Sequence, residues 1–266
     1  MSIYAYQLLK GLGLSEQRVL RVLPCIKVES LDAGQIICRK GSQPKAWTHI
    51  VSGLVSAGIP DIDGTITPIN IFGSGTWFGE VAILNRRALM LECICLTPVR
   101  ILTMPLDQAV EAFERDAEFS RHIARLVAWR TQQHSEMLTL MRLGSPQLRV
   151  VMGLALFAEA LHNSNSHLPT NGLDDSLEIP LKQSVLASLC GVSRGVFSEC
   201  VQQLAAAGWV RLNYATLALS SIVVWRKFSC QYRQSRINSV KSSMQEILLL
   251  MEEAVDREPT SSLRTQ

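Results

Sequence analysis

The stretch "IPLKQSVLASLCGVSRGVFSECVQQLAAAGWVRL", Ile179 to Leu212, decides the reading of this chain. Leu186, Leu189, Val192, Val196, Val201 and Leu204 are spaced as the apolar faces of two helices, with Cys190-Gly191-Val192 between them. A short helix over about 182–189, a tight turn and a second helix opening at Ser193 account for the pattern. Gly191 permits the left-handed backbone of the turn, and Ala187 is small where the helices cross. Ser193 is a natural N-cap. Gly208 ends the second helix, and "GWVRLNYATLALSS" reads as a two-stranded wing behind it. The whole is a winged helix-turn-helix.

In that geometry Ser193 opens the second helix, and Arg194, Gly195, Ser198, Glu199 and Gln202 point away from its apolar face. Arg194 can pair bidentately with guanine or clamp a phosphate. Ser198 and Gln202 can donate to bases or backbone, while Lys182 and Gln183 sit where phosphates run. The plain alternative is a helical hairpin with a solvated face. It leaves the small residue, glycine turn, serine cap and wing in one register unexplained.

Outward from this segment the chain divides into four. Residues 1–115 read as short β-branched strands broken by glycine turns, and Asp63-Gly64 between two such runs signals a hairpin. A small double-sheet roll or barrel fits that spacing. Residues 116–143 switch to a helical period. Ile123, Leu126, Arg130, Gln133, Met137 and Leu140 form a seam, polar at its centre, that suits a dimer interface or packing of the helix on its own barrel. Leu143-Gly144-Ser145-Pro146 breaks this helix, with Ser145 as N-cap of the next. Residues 144–225 carry the winged helix. Residues 226–266 form an amphipathic tail in which Ile237, Val240, Met244, Ile247, Met251 and Ala254 share a face, ending in "REPTSSLRTQ", expected to be disordered. The fold class is therefore α+β: β-roll, long helix, winged helix-turn-helix, extension.

Composition sets outer bounds. An apolar share of 47% and a charged share of 18% suit a folded globular protein. No apolar run approaches a bilayer span and no secretory leader is legible, so a cytoplasmic protein without a membrane partner is expected. The seven cysteines include no CxxC pair, which indicates neither a zinc site nor a disulfide framework. Cys93 and Cys95 share one face of a strand, where small buried hydrophobes are the ordinary reading and a redox or metal role the special one. The net charge of +3 does not by itself imply nucleic acid. No nucleophile–base constellation points to an enzyme, and no motif names a cofactor.

The order of parts resembles the Crp/Fnr superfamily of bacterial transcription regulators over roughly residues 10 to 225. The likeness is carried by "GTWFGE", "SPQLRVVMGLALFAEAL" and "CGVSRGVFSECVQQLAAAGWV". It implies a homodimer that reads a two-fold symmetric site on double-stranded DNA, with an event in the roll reorienting the DNA-binding heads. Many members have glutamate where this chain has Gly195 and arginine where it has Glu199. An operator different from the common half-sites is expected, since glutamate accepts from cytosine and arginine donates to guanine.

The resemblance also defines an effector pocket. Gly79 and Glu80 match the loop that holds the ribose hydroxyl in nucleotide-binding members. Aligning through "TPVRIL" puts Leu89 and Met90 where the family's phosphate-binding arginine and its following serine or threonine belong. Arg87 serves instead only if the loop is two residues shorter. An apolar "ALML" entering the pocket argues against cyclic AMP. His134 and Ser135 fall where the family's long helix meets the nucleotide base, and a polar pair facing solvent or the dimer mate is the ordinary reading. The tail has three open roles: bracing the wing, extending the dimer, or contacting RNA polymerase. The alternative function is a ligand-binding or protein-interaction module whose winged helix no longer reads DNA.

Overall fold

The computed structural model describes residues 2–62, 66–165, 176–213, 216–234 and 242–256. The chain is α+β and divides into two compact units, Met1–Glu136 and Met137–Gln266. The first opens with helices α1 (Ser2–Gly11) and α2 (Glu16–Val22) and a 3₁₀ turn, Leu23–Cys25, where strands alone were expected. Ser15 caps α2 by accepting from the backbone N–H of Arg18.

Eight strands follow: β1 (Lys27–Leu31), β2 (Ile36–Cys38), β3 (Ala46–Ser52), β4 (Val55–Pro60), β5 (Ile66–Phe72), β6 (Trp77–Phe78), β7 (Glu92–Cys95) and β8 (Val99–Pro105), with helix α3 (Glu80–Asn85) between β6 and β7. They make two antiparallel four-stranded sheets, β1-β8-β3-β6 and β2-β7-β4-β5. β4 and β5 pair from Val55↔Phe72 to Pro60↔Ile66, and the Asp63-Gly64 turn expected between them lies outside the described residues.

Strand alternation splits the apolar residues into two cores. Ile50, Val55, Phe78, Cys93, Cys95, Val99 and Ile101 fill the space between the sheets. Trp47, Leu102 and Met104 face the other way, toward α1, α2, α4 (Leu106–Arg115) and the start of α5 (Ala117–Leu143). Arg18 on α2 bridges Glu111 at 2.8 Å and Asp116 at 2.9 Å, tying α2 to α4.

The second unit begins within α5, at Met137; Gly144-Ser145 ends that helix and α6 (Pro146–Asn165) starts. Ser145 Oγ accepts from Leu148 N–H at 3.2 Å and donates to Ser242 O at 2.8 Å. β9 (Leu177–Ile179), α7 (Gln183–Leu189), α8 (Arg194–Ala206), β10 (Val210–Leu212) and β11 (Leu217–Leu219) complete the winged motif. The wing has three strands in the order β10-β11-β9, not two, because Leu177–Ile179 pairs with Leu217–Leu219.

The boundary expected after residue 225 falls inside α9 (Ile222–Gln234), whose Trp225 and Phe228 are fully buried. α10 (Met244–Asp256) packs against α6, α8 and α9 through Met244, Ile247, Met251 and Ala254. The extension is thus part of this unit's core. Ile237, Val240 and the last ten residues lie outside the described chain.

Candidate effector cavity and DNA interface

The residues singled out from the sequence gather in two places, one in each unit. In the first, a cavity of about 1470 Å³ opens between the β-roll, the α3 segment and α5. Gly79 lines it with φ +97°, a backbone that only glycine adopts without strain, and this turn starts α3 with Glu80, also in the lining, buried behind it. Glu80 is 3% exposed. Its Oε1 accepts from Arg130, whose guanidinium also donates to Trp77 O and lies 5.2 Å over the Phe72 ring. Phe72 in turn stacks on Phe78 at 5.3 Å. Glu80 Oε2 finds no partner among the described residues.

Arg130 was expected on the dimer seam; its place is inside this cavity, as the counter-charge of Glu80. Ile123 and Leu126, expected beside it on that seam, pack into the core of their own unit against the helical layer. A three-four apolar pattern says that a helix face is covered without saying by what, and here the domain's own helices and sheet cover it. Gln133 and Met137 are half-buried and Leu140 is buried. The outward face of α5 in the first unit carries Ala124, Arg125, Ala128, Trp129 and Gln132 instead, with Trp129 55% exposed.

The remaining predicted pocket residues separate. Arg87 lines the cavity but is exposed at its edge, its backbone N–H donating to Asn85 Oδ1 at 3.0 Å. Leu89 is half-buried, with its N–H on Ser42 O at 2.9 Å and its carbonyl accepting from Gly41 N–H at 2.7 Å. His134 lines the cavity from α5 together with Thr131. Ser135 is not in the lining; its hydroxyl donates to Thr131 O at 2.9 Å. Sequence reading missed Phe72, Arg130 and Thr131 as cavity residues. The signal for Arg130 was the lone cation at the centre of an apolar seam.

A second polar feature lies behind the cavity's sheet. His49 is 1% exposed, with Nε2 3.0 Å from Tyr4 Oη and its ring 5.0 Å from that of Trp77. Burial pushes its pKa down to about 4. No group of three or more His, Cys, Asp or Glu side chains among the described residues is placed to hold a metal ion.

In the second unit α8 is bent 104° from α7, the steep crossing of a helix-turn-helix. Lys182 is the N-cap residue of α7, and Gly191 makes the turn with φ +61°. A Cβ on Gly191 would meet Met141 Sδ at 2.7 Å, and its carbonyl accepts from Arg149 at 2.9 Å. Ser193 Oγ accepts from Val196 N–H at 3.3 Å, capping α8. Leu186, Ala187, Phe197, Cys200, Val201 and Leu204 are buried between and behind the helices. Lys182, Ser193, Arg194, Gly195, Glu199 and Gln202 are exposed, and Gln183 and Ser198 are half-buried. A Cβ on Gly195 would meet only the Ser193 hydroxyl, at an ordinary 3.9 Å. The inward turn of Phe197 and Cys200 was not read from the sequence, where Val196 was given that role; Val196 is half-buried.

Comparison with known proteins places these features. Residues 28–116 match the cyclic nucleotide-binding domain family. A CRP-like cAMP-activated global transcriptional regulator of Mycobacterium tuberculosis is 25% identical over 187 residues, which are 70% of this chain and 81% of that protein. Among solved structures, FixK2 of Bradyrhizobium japonicum matches with a TM-score of 0.60 at 15% identity, over 73% of this chain and 92% of that one. A CRP/FNR-family transcriptional regulator of Thermus thermophilus matches with a TM-score of 0.57 at 18% identity, over 76% and 98%. At such identities the structural likeness speaks for the fold.

Proposed function

We propose that the chain is a DNA-binding transcription regulator of the Crp/Fnr type with a cyclic-nucleotide-binding-type domain, a cytoplasmic homodimer reading a two-fold symmetric operator, with a cavity that does not take cyclic AMP. The observation that carries the DNA-reading half is the exposed polar start of α8, with Arg194 in its first turn and Gln202 two turns on. Arg194 reads guanine or holds phosphate, Ser198 and Gln202 add base or backbone contacts, and Lys182 and Gln183 hold phosphates. Glu199 repels phosphate and can accept from cytosine, so it serves readout rather than affinity. The exposed face of α5 around Ala128 and Trp129 is the dimer contact in this reading.

The effector half rests on the segment after α3. A bound phosphate needs free backbone N–H groups and a cation. Here the N–H of Arg87 and that of Leu89 are spent on Asn85 and Ser42. The cation nearest the cavity's carboxylate, Arg130, is bound to Glu80.

Two measurements test this. Selection of bound duplexes from a random pool should return a palindrome, and Arg194→Ala should weaken it by about 1–3 kcal/mol, roughly 5- to 150-fold. Equal affinity for selected and scrambled duplexes would instead favour the protein-interaction module. Calorimetric titration with cyclic AMP should give no saturable heat. Micromolar binding that Arg87→Ala abolishes would overturn the effector half alone.

A further inference from the structure

The cavity wall holds a pair of thiols that neither DNA reading nor nucleotide recognition uses. Cys38 on β2 and Cys93 on β7 are direct partners across an antiparallel pair, so their side chains leave the sheet on the same face. That face is the cavity: both residues line it. Cys93 is 6% exposed and Cys38 half-buried, and both are free thiols. Directly opposed residues of an antiparallel pair have Cα atoms about 4.5–5.5 Å apart. That falls inside the roughly 4.4–6.8 Å that a disulfide spans. β2 is an edge strand of three residues with a register irregularity beside Cys38, so the backbone has slack to bring the two sulfurs into bonding geometry.

We propose that Cys38 and Cys93 form a reversible oxidation site for small peroxides entering the cavity. The Cys38 thiolate attacks one oxygen of hydrogen peroxide; the O–O bond breaks, Cys38 becomes a sulfenic acid, and the departing hydroxide leaves as water on taking a proton. The Cys93 sulfur then attacks the sulfenic sulfur, the S–S bond forms, and the Cys93 proton leaves with the hydroxyl as a second water. Two thiols and one peroxide thus become one disulfide and two waters. The environment suits this order of events. Hydrogen bonding to the Cys93 thiol holds the Cys38 thiol below its ordinary range, and the same pairing together with burial pushes Cys93 up. Cys38, the more exposed of the two and on the edge strand, is the first nucleophile, and Cys93, 6% exposed on an inner strand, is the resolving thiol.

The consequence for the cavity is mechanical. After β2 the chain runs to Gly41 and Ser42, which grip Leu89 by two backbone hydrogen bonds. A bond between β2 and β7 staples this wall of the cavity to the interior of its sheet.

The test uses the full-length chain with the exposed thiols removed (Cys25→Ser, Cys230→Ser). It is treated with a few equivalents of hydrogen peroxide, the remaining thiols are alkylated, and peptides are mapped by mass spectrometry. The expected result is a mass loss of about 2 Da, for two hydrogens, and a linked Cys38–Cys93 peptide that dithiothreitol releases. Cys38→Ser should abolish the link and leave Cys93 alkylatable. The same mapping on the wild-type chain decides the matter if that variant does not fold. Retention of both thiols overturns the proposal, as does a link between other cysteines or sulfinic acid at Cys38 without a bridge. These readouts do not depend on DNA or nucleotide, so failure here leaves the regulator reading untouched, and failure of that reading leaves this one.

Discussion

Arg130 and Glu80 show how much one buried pair decides. Their side chains are only 11% and 5% exposed, so each charge relies on the other in place of water. Arg130→Met should strand the Glu80 carboxylate and lower stability by about 3–5 kcal/mol in urea unfolding. Replacing both residues by apolar ones of similar size should recover most of that loss, which a double-mutant cycle measures. His49 makes a second prediction at this scale. Its pKa is about 4 in the folded chain against an ordinary 6.5. Above pH 6.5 the imidazole is neutral in both states and stability is full. As pH falls below 6.5 the unfolded chain takes up a proton that the folded one refuses, so stability declines until about pH 4. The loss over that window is about 3 kcal/mol, and His49→Gln should flatten it in melts run across the range.

At the scale of elements, the helix-turn-helix places two glycines in opposite situations a few residues apart. Gly191 has a left-handed backbone, and Met141 occupies the space where a side chain would go. Gly195 sits in the first turn of α8 with nothing but the Ser193 hydroxyl, 3.9 Å away, near its missing Cβ. Gly191→Ala should therefore destabilise by more than about 1 kcal/mol, whereas Gly195→Ala should stabilise by about 0.5–1 kcal/mol. Thermal melts of the two variants separate the cases. If Gly195→Ala also changes the selected operator, the missing side chain is part of the readout. α10 offers a third test. Ile247 is fully buried among α6, α8 and α9, so Ile247→Ala should cost about 2–5 kcal/mol. A tail that merely trailed from the wing would tolerate the change, and denaturant unfolding distinguishes the two.

For the whole molecule the deciding question is which face of α5 would carry the proposed dimer contact. Ile123, Leu126 and Arg130 are committed to their own unit, and Trp129 stands exposed on another face. Trp129→Glu would put a charge at the centre of the proposed contact. It should shift the protein toward monomer in sedimentation and weaken binding to a palindromic duplex by at least about tenfold, because two half-sites no longer bind together. A stable dimer in that variant would return the seam read from the sequence to consideration.

The sequence by itself determined what local chemistry controls. Gly191, Ser193 and Gly208 announced the turn, cap and stop of the helix-turn-helix, and the structure has α8 running from Arg194 to Ala206 between them. Ser145-Pro146 likewise marked the start of α6. Such signals lie within a few residues of what they cause, through backbone conformation and capping. Gly79 and Glu80 were singled out through the resemblance instead, and both line the cavity of the first unit. Only the tertiary structure decided what each apolar or charged face meets. Arg130 reaches Glu80 from 50 residues away, and α10 fills a core begun at α6. The third wing strand, β9, joins across α7 and α8. Periodicity reports that a face is covered, while its partner depends on how distant segments pack, which no local pattern encodes.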